Sequence, residues 1–201
     1  MNSRLALSLV LVAVTLPALQ GCFPVIVGGI AAGALAIDDR RTLAIQAEDK
    51  TIFAKAEARL NERLGDRVHI NVTSFNRRVL LTGEVPDDKA RAEAERIVGG
   101  VENVATVVND LQIAGISSLT ARTNDSIITS KVKGNFVDER ELHANAFKVV
   151  TEASVVYLMG LVTRAEGDLA ARVASRTSGV KQVVKVFDYV PVAPRPAEAK
   201  K

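Results

Sequence analysis

The sequence predicts an α+β protein built as two tandem αββαβ units. Each would be a small two-layer sandwich, its helices packed on one face of a three-stranded sheet. The first observation is repetition. Val72–Val85 aligns without a gap on Val149–Val162, and Gly100–Val108 aligns on Gly179–Phe187. Upstream, Asp49–Ile52 aligns on Asp125–Ile128, so three blocks recur in one order, as duplication requires. The second observation is the alternation of period: apolar residues step by four, then by two, within each copy. The third is punctuation by Gly, Pro and Asp where one period gives way to the next.

The elements follow in order. In residues 49–64, Ile52, Ala56, Leu60 and Leu64 stand four apart, and Gly65 stops the helix. Residues 68–75 alternate Val68, Ile70 and Val72 with polar neighbours, as a half-buried strand does. Residues 78–85 form a more apolar strand, with Asn76-Arg77 at the turn of a hairpin. Pro86-Asp87-Asp88 opens a second helix, its acids suited to the helix dipole. Ala90, Ala94, Ile97 and Val98 give that helix a buried face, and Gly99-Gly100 ends it. Val104 to Ile113 reads as one third strand. The first and third strands either flank the second or pair at its edge.

The second copy predicts helices near 125–137 and 164–177, and strands near 146–151, 155–162 and 183–190. Domain limits follow: units at 48–114 and 124–190, a linker at 115–123, and a Pro-rich tail at 191–201 expected to be disordered. Two small units have thin cores, and no cysteine pair is available to staple them, so mutual support between the units is expected.

The N-terminus is different in kind. A basic start is followed by about 15 apolar residues from Leu5 to Leu19, long enough for a signal peptide and short for a membrane span. Leu19-Gln20-Gly21-Cys22 then contains the only cysteine in the chain. This resembles the lipobox of bacterial lipoproteins. The resemblance implies removal of residues 1–21 and diacylation of the Cys22 thiol, with a further acyl group, palmitate for example, on the new amine. Several chains suffice for stable anchoring. Phe23 stands where an Asp retains such proteins at the inner membrane, so the implied address is the inner leaflet of the outer membrane. Residues 22–47 then form the acylated N-terminus and a flexible Gly- and Ala-rich tether, with Asp38 to Arg41 marking its exit from the apolar layer.

The formal net charge is +3, unevenly spread: residues 38–114 carry 12 Lys/Arg and 14 Asp/Glu, residues 115–190 carry 10 and 8. The second unit is therefore the better suited to an anionic surface. Nucleic acid is excluded as a partner: bases are interleaved with acids, and no aromatic-basic ladder appears.

The unit order, the hairpin ends Val79-Leu80-Leu81-Thr82-Gly83 and Val156-Tyr157-Leu158-Met159-Gly160, and the Gly-Val-x-x-Val lead into the last strand together resemble the BON family. With the lipobox, the whole chain except the tail is similar to dual-BON outer-membrane lipoproteins; soluble dual-BON proteins of osmotic stress share the units without the anchor. The resemblance implies binding of anionic phospholipids such as phosphatidylglycerol or cardiolipin through the second unit, and a part in envelope integrity and the response to envelope stress. A protein-interaction adaptor or stress chaperone acting on other envelope proteins is the alternative.

Catalytic signatures are missing: the sequence has no nucleophile elbow, phosphate loop or paired acids. No cofactor is expected, and no metal site either, although His69 on a strand and His143 before the second hairpin hold roughly corresponding places. Gly83 and Gly160 read as structural, each placed where a strand bends or nears another backbone. The candidate lipid contacts lie on the first helix of unit two: Asn124, Ile127, Ile128, Lys131 and Lys133. Ile128, Val132 and Phe136 fit an inward stripe, which turns Ile127 outward beside lysines, either to a bilayer surface or against unit one. The matching helix of unit one has Thr51 for Ile127 and Glu57 for Lys133.

Overall fold

The computed structural model describes residues 39–191. The signal segment, Cys22, the tether as far as residue 38 and the tail from residue 192 lie outside the described residues.

Unit one begins with helix α1, Leu43–Leu64, capped by the Thr42 hydroxyl, which accepts from the Ile45 amide at 3.3 Å. Its buried stripe contains Ile52, Ala56, Leu60 and Leu64, and Gly65 closes it at φ 58°. The hairpin β1 (His69–Phe75) and β2 (Arg78–Val85) follows, then α2 (Asp88–Gly99), capped by Asp87. The short strands β3 (Thr106–Asn109) and β4 (Gln112–Ile113) both run parallel to β2. Unit two repeats the pattern with α3 (Leu119–Asp138), β5 (Phe147–Glu152), β6 (Val155–Val162), α4 (Arg164–Ser175) and β7 (Gln182–Tyr189).

Of the two sheet orders the sequence allowed, the flanking one occurs. β2 lies between β1 and β3, and β6 between β5 and β7. In both sheets the hairpin partner is antiparallel and the last strand parallel. Val79, Leu81 and Val85 point with Ile97 and Val98 into the core of unit one, while Val156, Leu158 and Val162 do the same for unit two.

Three expectations are corrected. The first helix starts at Leu43, not near 49, so residues 43–47 are helix rather than tether; its opening turn is largely exposed and carries no apolar stripe to reveal it. The linker 115–123 is likewise shortened, because Ser118 caps α3 and residues 119–123 are helical. The third strand is broken. Leu111 turns inward and is 2% exposed in the core of unit one, which removes Asp110 and Leu111 from the ladder.

The expected mutual support is realised through the opposite faces of the sheets. Side chains alternate along a strand, so Leu80 points away from Val79 and Leu81. It meets Phe75, Tyr157, Met159 and Val186 in a third core, to which Val108, Val150 and Val184 add. Helices thus cover the outer face of each sheet while the inner faces pack on each other. This explains why β2 and β6 are apolar without alternation: a strand covered on both faces needs no polar side.

Candidate functional site

Helix α3 is the element that offers a surface. A buried stripe of Ile128, Val132 and Phe136 fixes its rotation. With 100° per residue, Leu119, Ile127 and Val137 then fall on the outward side, 79%, 49% and 73% exposed. Between them lie Thr123, Ser126 and Ser130. Each hydroxyl donates to the carbonyl one turn back, to Leu119, Arg122 and Ser126 respectively, at 2.9 to 3.0 Å. Hydroxyls spent in this way need little from solvent, so the face is less polar than its composition suggests. Thr123, Ser126, Ile127, Ser130 and Lys131 line a shallow, open depression of about 480 Å³.

The expected lipid contacts divide. Asn124, Ile127 and Lys131 are exposed at spacings of three and four and share one side of the helix. Ile128 is corrected: it is 1% exposed and belongs to the core of unit two, one residue-step round from Ile127. Lys133 is also corrected as a neighbour of Ile127. Six residues on, it is rotated about 120° away, and its charge instead bears on Lys148. Burial first, then Lys133 and Arg41, hold the Lys148 amine below its ordinary value. Leu119 was missed because the helix was expected to start later, whereas Val137 ended the expected helix and was given no role. Unit one is not wholly without exposed apolar surface either, since Phe53 of α1 is 38% exposed.

The two glycines have backbone reasons. Gly83 sits at φ 112°, and a Cβ there would lie 2.0 Å from the His69 carbonyl oxygen. A Cβ on Gly160 would meet the Ala146 oxygen at 2.9 Å and Val162 at 3.1 Å.

A pair of aspartates, aligned by the repeat but given no role from sequence, holds the hairpins. Asn76-Arg77 and Ala153-Ser154 all have positive φ, the two-residue turn that suits strand twist. Asp49 accepts from the Asn76 and Arg77 amides at 2.7 and 2.8 Å, and Asp125 accepts from Ala153 and Ser154 at 2.9 and 2.8 Å. In each unit, the first helix thereby clamps the turn of the hairpin beneath it.

Residues 39–41 fasten the start of the fold. Arg40 makes a two-pronged ion pair with Glu166 of α4 at 2.8 and 2.9 Å and donates to the Leu161 carbonyl. Arg41 pairs with Asp39 and Asp49, and its guanidinium stacks 3.6 Å over Phe75. Between the units, Arg78 and Asn76 reach Asp188, and Asn71 donates to Glu152 at 2.7 Å. The Tyr157 phenol lies beside Asp110, the residue displaced by the strand break. Burial, then that neighbouring carboxylate, holds the phenol well above the ordinary value. His69 faces unit two, with Nδ1 2.9 Å from Glu84.

The BON domain family profile matches residues 49–115 and 124–191, the two units just described. The chain belongs to the BON-domain family, with two copies of the domain. Among its relatives, it is 36% identical to the outer membrane lipoprotein DolP of Haemophilus influenzae over 174 residues, covering 86% of this chain and 90% of that one. It is 31% identical to a 21 kDa hemolysin of Actinobacillus pleuropneumoniae, covering 76% and 79% of the two chains. It is also 30% identical to the osmotically-inducible protein Y of Escherichia coli, covering 68% and 70%.

Proposed function

We propose that this protein is a non-catalytic lipoprotein of the outer membrane that faces the periplasm, binds anionic phospholipid through α3 of its second BON domain and thereby supports envelope integrity. Acylation at Cys22 would supply the anchor, and the similarity to an outer membrane lipoprotein over most of both chains supports that address. The observation that carries the lipid reading is the outward face of α3. Three exposed apolar side chains lie along it, the hydroxyls between them are internally bonded, and Lys131 stands beside Ile127. Such a face lets a side chain enter the headgroup layer without stranding polar groups, while a lysine near an anionic surface contributes about 1 kcal/mol. Phosphatidylglycerol and cardiolipin are the expected ligands.

The test is co-sedimentation of acyl-free protein (residues 23–201) with vesicles of phosphatidylcholine, with and without phosphatidylglycerol. Binding should require the anionic lipid, and Ile127→Ser should weaken it about tenfold, the worth of roughly half an isoleucine's burial. Equal binding by both proteins would remove α3 from the reading. The similarity to the osmotically-inducible protein Y supports a second reading, an adaptor for envelope proteins. It predicts no vesicle binding at all.

A further inference from the structure

We propose that His69, Glu84 and Glu152 form a site for a divalent transition-metal ion, Zn²⁺ by its donor set, that clasps the two BON domains together. One ligating atom from each residue can be chosen so that all lie within 4.8 Å of one another. His69 and Glu84 are cross-strand partners at the end of the first hairpin. Glu152 comes from the last residue of β5 in the other domain. One imidazole and two carboxylates are a donor set for Zn²⁺, leaving a coordination position for water. Mg²⁺ and Ca²⁺ prefer oxygen alone.

Burial and charge give the cluster a need for a cation. Glu84 and Glu152 are 7% and 5% exposed. Among the described residues neither is paired with a lysine or arginine. Glu84 has His69 and the Ser117 amide, and Glu152 has the Asn71 amide. Two buried carboxylates beside one imidazole cannot both be charged cheaply. A metal ion supplies the missing charge without a proton.

Two further observations fit a ligand. A polar cavity of about 370 Å³ between the domains is lined by His69, Asn71 and Glu152, which provides a route for the ion. On the same face of β2 as Glu84, two residues back, the Thr82 hydroxyl is buried without a hydrogen-bond partner. It is available to a metal-bound water. Asn71, the cross-strand partner of Thr82, already orients Glu152 from behind, as outer-shell groups do for metal ligands.

The experiment uses the full acylated chain in detergent, stripped with a chelator, dialysed and titrated with ZnCl₂ by calorimetry and thermal unfolding. One equivalent should bind saturably and raise the melting temperature, as any ligand of the native state does. Glu152→Gln keeps the size of the side chain and its bond to Asn71. It and His69→Ala should each weaken binding by at least about tenfold, while His143→Ala should leave it unchanged. Zinc-edge X-ray absorption on the unaltered protein should show one imidazole with oxygen neighbours, so the test survives a variant that fails to fold. The proposal is overturned by absence of saturable binding at micromolar zinc, by variants that bind as the parent does, or by a spectrum showing two imidazoles or none. None of these outcomes bears on lipid binding by α3, which lies outside the cluster.

Discussion

At the scale of single residues, the close approaches of backbone decide most. A Cβ on Gly83 would overlap a carbonyl oxygen outright, and the backbone there has a φ that side chains rarely adopt. Gly160 is crowded less severely and has no positive φ. Both valine substitutions should lower the melting temperature in a thermal scan, Gly83→Val more than Gly160→Val; the reverse order would contradict the geometry. The aspartate clamps make a second claim. Asp125→Ala would strip two turn amides of a buried, charged acceptor, each such bond contributing about 1.5–3 kcal/mol. A loss of about 2–4 kcal/mol in urea unfolding is expected. The glycines could be placed from sequence because they interrupt apolar strands. The aspartates were visible only as aligned letters, since nothing local says that a helix residue will reach a turn more than 25 positions later.

At the scale of elements, the buried stripes were legible and the ends were not. Steps of four placed Ile52 to Leu64 and Ile128 to Phe136 correctly, because a core face must repeat with the helix. The first turns of α1 and α3 bury little, so only Thr42 and Ser118 announce them. That shortfall hid Leu119 and so part of the proposed lipid face. The inward turn of Leu111 was illegible for a different reason: it depends on a gap in the core that local sequence does not describe. The strap from Arg40 to α4 makes its own prediction. Hydrogen bonds from Arg40, first among the causes, hold Glu166 down to about 2 from an ordinary 4.5. A lowered carboxyl stabilises the fold above its unfolded value and loses that contribution as pH falls through the folded one. The stability lost in Glu166→Gln should therefore be full above pH 4.5 and fade toward pH 2. Solvent screening limits it to no more than about 1 kcal/mol. Urea titrations across that range would show it, and a difference independent of pH would not fit.

At the scale of the whole molecule, two domains share one interior. Sequence signalled this through the thin cores of two small units without a cysteine pair, and the apolar character of β2 and β6 is explained by it. Residues such as His69 and Glu152 meet across domains, and no spacing rule joins them. Met159 belongs to the shared core and is fully buried, so Met159→Ala should cost about 2–5 kcal/mol. Because that core is common property, both domains should lose stability together in calorimetry; two separated transitions would mean the domains fold independently. The functional consequence concerns placement. Residues 39–41 are tied to both domains, and lipid contact by α3 would add to the hold of the acyl chains proposed at Cys22 rather than replace it. The claim on which this rests is that α3 is the lipid-facing element. It is tested most directly by a chemical-shift titration of acyl-free protein with phosphatidylglycerol or cardiolipin micelles. The account predicts perturbations at Leu119, Ile127, Ser130, Lys131 and Val137 that vanish in Ile127→Ser; shifts that spare α3, or that persist unchanged in that variant, would contradict it.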